Sequence, residues 1–195
     1  MTNYKKYTDF LAGYWVADLG SGSGDFLKAA GGNGVAVDRD VDACTVSAAH
    51  GGTAYCMDAI TFLEGSLPRR SSTAIFSRNL LEHLRPDEVL RLLDLAAKRL
   101  PVHGRIVLVT ANPACLGVMA GAFWDDPEHV RPYTLAFLCR ELEARGFTVM
   151  ASGADEDSRP KGFLRSLVRG LRTRLVGDYF GPPEIYVMAE KREAP

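Results

Sequence analysis

The sequence is poor in cysteine, in charge of one sign and in long apolar runs, and each shortage removes a class of protein. Its four cysteines, at 44, 56, 115 and 139, form no CxxC pair and have no histidines at zinc-site spacing. They read as reduced thiols, which favours a cytoplasmic protein. Lysine and arginine total 23 against 24 aspartates and glutamates, a net charge of -1. A general nucleic-acid binder carries a broad basic face, so no nucleic-acid partner is expected. No stretch approaches the roughly 20 apolar residues that span a bilayer. The opening MTNYKKYTDF lacks the apolar run of a secretory signal. There is no internal repeat and no low-complexity tract. The 195 residues, 47% of them apolar, suffice for one domain over 1–195 with a core of its own.

Strand-like and helix-like segments alternate. Tyr14 to Leu19, Gly34 to Val37, Thr53 to Met57, Ser72 to Ser77 and Gly104 to Thr110 read as five buried strands. Helices are expected from Asp25, over Val41 to His50, over Pro86 to Leu100 and over Tyr133 to Arg145. Phe147 to Ala151 and Ile185 to Ala189 supply two final strands without so clear a helical crossover. The pattern predicts an α/β fold: a doubly wound, mostly parallel, seven-stranded sheet with helices on both faces and an antiparallel edge strand.

Between the first strand and the first helix stands Asp18-Leu19-Gly20-Ser21-Gly22-Ser23-Gly24. Glycines in such a turn let the backbone reverse sharply and a ligand approach closely. Asp38 closes the next strand, at the distance expected of a carboxylate that accepts bonds from a ribose. Asp58 closes the third. Either aspartate could also cap the helix that follows it. The turn does not fit GxGxxG, because its third glycine comes one place early. A nicotinamide-dependent oxidoreductase is therefore the weaker reading.

D-L-G-S-G-S-G is similar to the D/E-x-G-x-G-x-G signature of class I S-adenosylmethionine (SAM) dependent methyltransferases. Phe76 to Leu84 (FSRNLLEHL) resembles the family segment after the fourth strand, which often reads L-E-H. The resemblance covers roughly residues 14 to 150 and implies SAM as cofactor. It implies a binding site built from Asp18, Gly20, Ser21, Gly22, Gly24, Asp38, Arg39, Asp58, Ala59, Ser77 and Asn79. Asp38 would bind the ribose hydroxyls and Asp58 the adenine amino group. Some relatives with E-x-x-E-H bind a divalent cation. Asn79 stands here in place of the first glutamate, so no metal is expected.

Methyl transfer from a sulfonium is an in-line displacement carried largely by positioning, and a hydroxyl acceptor benefits from a base. His129 is the candidate. It lies in D-P-E-H-V-R-P-Y-T, after the fifth strand and so beyond the carboxyl end of the sheet. This segment resembles one in bacterial methyltransferases of the type 11/12 group, some of which act on sugars and glycans. His129 is thus a base, a substrate contact or a pin for its loop. Arg131 and Tyr133 could bind a polar or anionic acceptor or anchor the loop. A small-molecule or glycan acceptor, methylated on a hydroxyl, is expected.

Arg159 to Arg174 interleaves basic and apolar residues within an insert at about 158–182. A basic amphipathic helix suits a membrane surface, an anionic ligand or a packed, solvated face. With little chain before the first strand, the acceptor pocket is expected from Asn112 to Pro132 and this insert. N/D-P-P-Y/F, the signature for amino-group targets, is absent: Ser77-Arg78-Asn79-Leu80 stands in its place. A SAM-binding regulatory protein without catalysis is the remaining alternative.

Overall fold

The computed structural model describes residues 3–49, 52–68, 70–156 and 181–193. In chain order these form α1 (Lys5–Phe10), β1 (Trp15–Leu19), α2 (Asp25–Ala29), β2 (Gly34–Asp38), α3 (Val41–Ala49) and β3 (Thr53–Cys56). Then follow α4 (Ala59–Thr61), β4 (Thr73–Arg78), α5 (Pro86–Arg99), β5 (Arg105–Ala111), α6 (Leu135–Ala144), β6 (Phe147–Ala154) and β7 (Glu184–Lys191). Two π-turns, Phe62–Ser66 and Val118–Ala122, and a 3-10 turn, Leu81–His83, complete the connections.

The strands make one sheet in the order β3-β2-β1-β4-β5-β7-β6. β1 to β5 run parallel, and β7 runs antiparallel between β5 and the edge strand β6. The expected antiparallel edge is thus present as a β7–β6 pair. The order reverses between β1 and β4. In open α/β sheets a crevice forms at that point, outside the carboxyl ends of the strands.

Alternation along each strand divides the core between the two faces. Ala17, Leu19, Ile75, Ile106 and Leu108 pack with Leu92, Leu93 and Ala96 of α5 and with Leu138 and Leu142 of α6. Val16, Ala74, Phe76, Val107 and Val109 face the other way, against Tyr7, Leu11, Phe26 and Leu27. Each fully buried leucine contributes about 2 kcal/mol.

Local chemistry sets the helix ends. Pro86 opens α5, the Arg85 backbone N–H donates to the Glu88 carboxylate at 2.8 Å, and Pro101 follows its last residues. α6 begins at Leu135, not at Tyr133, because the Thr134 hydroxyl caps it, accepting from the Phe137 N–H at 3.2 Å.

The short polar run of α1 carries too weak a pattern to announce a helix. It is held by tertiary contacts. Tyr7 is buried, and its hydroxyl donates at 2.7 Å to Asp155, itself only 2% exposed and ion-paired with Lys6. Burial, then the Asp155 hydrogen bond and charge, raise the Tyr7 pKa and keep its phenol protonated. Asp155→Ala leaves Tyr7 and Lys6 without this partner and is expected to lower unfolding stability by about 2–3 kcal/mol. Urea denaturation measures this, and an unchanged midpoint would show that α1 is anchored otherwise.

His50 and Arg159–Arg174 lie outside the described residues. Among the described residues, no helix is long and apolar enough to cross a membrane.

Candidate cofactor site

β1 delivers the chain to the crevice at Leu19, and the next residues must turn without side-chain clashes. Gly20, Gly22 and Gly24 take φ of +70°, +49° and +76°, which glycine adopts freely and L-residues resist. The turn is laced to its neighbours. The N–H groups of Gly20 and Ser21 donate to the Val37 carbonyl at 2.8 and 3.1 Å. The Gly22 N–H donates to Asp38 Oδ2 at 2.8 Å. The Ser47 hydroxyl donates to the Gly22 carbonyl at 3.0 Å. A Cβ at Gly24 would lie 2.7 Å from that hydroxyl, whereas one at Gly22 would meet nothing within 4 Å. Gly22 therefore borders open space.

That space is a cavity of about 280 Å³ bounded by Tyr4, Asp18, Gly20 to Ser23, Asp25, Phe26, Phe76, Arg78 and Asn79. Phe26 and Phe76 stack in its wall with centroids 3.6 Å apart, and Tyr4 meets both edge-on. Arg78 holds Glu184 through two hydrogen bonds, Nε to Oε1 at 3.1 Å and Nη2 to Oε2 at 2.7 Å. Its guanidinium also lies 5.6 Å from the Tyr4 ring centre. Asn79 has a left-handed backbone, φ +54°, and donates its N–H to the Val109 carbonyl at 3.0 Å.

Asp18 is the unusual group. It is 2% exposed, and its Oδ2 has no hydrogen-bond partner within the protein. Burial, and then the charge of Asp38, push its pKa up to about 8. A buried carboxyl with one oxygen unanswered is costly unless something cationic or hydrogen-donating completes it.

Asp38 and Asp58 stand at the neighbouring ends of β2 and β3, off the cavity wall, where the Met57 N–H donates to the Asp38 carbonyl at 2.9 Å. The Asp38 carboxylate also accepts from the Asp40 N–H at 3.0 Å, so it shapes the turn as well as facing it. Asp58 caps α4. Its Oδ1 accepts from the Thr61 N–H at 2.8 Å and its Oδ2 from the Thr61 hydroxyl at 2.5 Å. Burial works upward on its pKa, but these bonds outweigh it and hold the carboxyl ionised below the usual range. Ionised carboxylates offer about four lone pairs, which leaves both groups able to accept from a ligand. Arg39 is exposed and ion-paired with Glu128. Ala59 and Ser77 are buried, and the Ser77 hydroxyl has no partner. Neither borders the cavity.

The second group of expected residues sits elsewhere. Tyr133 is 2% exposed, and its hydroxyl donates to the Leu84 carbonyl at 2.8 Å. Burial pushes its pKa up to about 12. Arg131 lies over that ring at 5.2 Å, and its N–H bonds the Glu82 carbonyl at 3.3 Å. Both act as anchors of the β5–α6 loop, because the fold draws that loop down onto the turn after β4. His129 stacks on Phe123 at 4.5 Å and lies 4.6 Å from His83. It is absent from the cavity wall, where Tyr4 and Arg78 stand instead. Tyr4 escaped sequence reasoning because α1 itself did. Arg78 sat in view at the end of β4, in the segment whose amino-group signature was missing.

Residues 11–152 match the model of the methyltransferase domain family. The chain belongs to that family. It is a methyltransferase of class I, and the cofactor of that class is SAM. Solved structures agree on the fold of the methyltransferase. It is similar to a SAM-dependent methyltransferase from Archaeoglobus fulgidus, with 24% identity over 96% of this chain and 91% of that one and a TM-score of 0.79. A SAM-dependent methyltransferase from Mesorhizobium loti shares 16% identity over 96% and 97%, with a TM-score of 0.68. Magnesium protoporphyrin IX methyltransferase from Synechocystis, solved with bound SAM, shares 13% over 96% and 77%, with a TM-score of 0.62. No curated protein matches the sequence.

Proposed function

We propose that this methyltransferase moves a methyl group from SAM to a hydroxyl of a small molecule or glycan. The observation that carries the donor side is Asp18, a buried carboxyl with a free oxygen on a cavity wall made by the glycine turn. The amino-acid end of SAM is a zwitterion. Asp18 and Asp25 answer its ammonium, and Arg78 answers its carboxylate through donors that Glu184 leaves over. Asp38 accepts from the ribose hydroxyls, and Asp58 from the adenine amino group. The aromatic faces of Tyr4, Phe26 and Phe76 suit a sulfonium, which binds such faces as other cations do. When bound, SAM supplies an activated methyl group. The protein holds it still and presents the acceptor in line.

On the acceptor side, Ser77-Arg78-Asn79-Leu80 replaces the amino-group signature, and the net charge of -1 is not the strongly basic balance of a general nucleic-acid binder. The Synechocystis relative in fold acts on a small molecule, by its name. The acceptor-facing role first expected of His129 has no support from the cavity wall. Two measurements test the reading. Calorimetry with Asp38→Ala should show SAM binding at least about tenfold weaker, since two charge-assisted bonds are lost. Equal affinity would remove the proposed pocket. Incubation with panels of hydroxylated small molecules and glycans should release S-adenosylhomocysteine. Tight SAM binding without turnover on any acceptor would favour a regulatory binder.

A further inference from the structure

We propose that His83, Asp126 and His129 form a binding site for a zinc-class divalent metal ion, separate from the glycine-turn cavity. The three residues meet beyond the carboxyl ends of β4 and β5. His83 closes the 3-10 turn after β4, and Asp126 and His129 come from the loop before α6. One ligand atom from each lies within 4.8 Å of the others, and His129 Nε2 is 3.8 Å from Asp126 Oδ2. Donors around a tetrahedral zinc ion stand roughly 3.4 Å apart, from bonds of about 2.1 Å. Closure therefore takes about an ångström, and Asp126 sits on a loop, half exposed.

The surroundings hold each ligand the way metal sites do. His129 Nδ1 is 2.5 Å from the Phe123 carbonyl, which fixes its proton there and leaves Nε2 as a lone-pair donor. Asp126 Oδ1 accepts from the Glu128 N–H at 2.8 Å, leaving Oδ2 toward the histidines. The loop is fastened by the Val130 N–H, which donates to the Glu82 carbonyl at 2.8 Å, next to His83. Stacking of Phe123 on His129 fixes the ring plane. The Glu82 carboxylate is excluded as a ligand, since it is buried and accepts from the Thr110 hydroxyl at 2.7 Å.

Independently, His83 Nδ1 is a buried nitrogen with no hydrogen-bond partner. Two imidazoles without a ligand between them leave that atom uncompensated. A metal ion completes it. Imidazole nitrogens select zinc and its first-row neighbours over magnesium or calcium, which take oxygen shells. Three protein donors leave a fourth position open to water or another small ligand. The assignment gives His129 the role of ligand and does not depend on the methyl-transfer reading.

The test is zinc titration of untagged, chelator-treated full-length protein by calorimetry, with cobalt as a spectroscopic stand-in. One equivalent of zinc should bind, cobalt should give the visible bands of a low-coordinate site, and excess magnesium should not compete. Asp126→Asn and His83→Gln should each weaken zinc binding at least about tenfold. S-adenosylhomocysteine affinity, measured in parallel, reports the fold and should not change. Absence of stoichiometric binding in the wild type overturns the site. So does zinc affinity equal to wild type in both variants, which would place the metal on the cysteines or elsewhere.

Discussion

Gly34→Ala is expected to cost the protein about 3–4 kcal/mol of stability, far more than an alanine usually costs in a strand. A Cβ at Gly34 would lie 2.0 Å from the Val16 carbonyl oxygen, 2.9 Å from its carbon and 3.0 Å from Leu27 Cδ2. Val16 is the register partner of Gly34 in the β1–β2 ladder, so the obstacle is backbone. No rotamer change relieves it; β1 and β2 must part. These two strands carry Asp18 and Asp38, so the damage reaches the cofactor site. Gly31 makes the control. Its φ is +79°, but a Cβ there meets nothing within 4 Å, and Gly31→Ala should cost only the left-handed strain of about 1 kcal/mol. Guanidinium denaturation of both variants separates crowding from strain. Equal losses would mean that the ladder can open at Gly34.

SAM affinity should rise as pH increases toward about 8 and level off above it. The free protein keeps Asp18 protonated up to that pH, because burial and the Asp38 charge disfavour its carboxylate. An ammonium ion answers only the ionised form, so binding releases the proton. Below pH 8 the release opposes binding, by up to about tenfold per pH unit for a single site. Asp18→Asn should flatten the profile and weaken affinity at pH 8 about 100-fold, the loss of one buried charge-assisted bond. Folding gives a second readout of opposite slope. A carboxyl whose pKa is raised on folding favours the native state fully below its unfolded value, near 4. That contribution is lost as pH rises through about 8. The cofactor-free protein should therefore be less stable at pH 8 than at pH 5, and Asp18→Asn should remove Asp18's share of that slope. Calorimetry in several buffers counts the protons released. A flat wild-type profile would take Asp18 out of ammonium recognition.

The parallel strands were readable because burial on both faces makes them continuous apolar runs, as in Arg105–Ala111. The glycine turn was readable because its constraint is local: three left-handed positions within five residues demand glycine. α1 was not, since Tyr7 is held by Phe76, Tyr186 and Asp155, all distant in sequence. The same holds for the aromatic wall, where Tyr4, just before α1, meets Phe26 of α2 and Phe76 of β4. The contacts of the β5–α6 loop were unreadable for a different reason. Its residues stand at the correct end of the sheet, yet what Tyr133, His129 and Arg131 touch is decided by the Leu84, Phe123 and Glu82 carbonyls respectively. No spacing within D-P-E-H-V-R-P-Y-T records those partners.

The place of β7 also governs when this sheet can be finished. β5 and β6 precede β7 in the chain, but among the described residues β6 is joined to the sheet only through β7. On the ribosome, everything up to β5 can assemble while β6 waits as a lone strand with a bare edge. A chain halted before Glu184 would bare the edges of β5 and β6 that β7 covers, and each is a template for a neighbouring molecule. β7 is thus the latch of the sheet, and premature termination should yield aggregates, not a smaller enzyme.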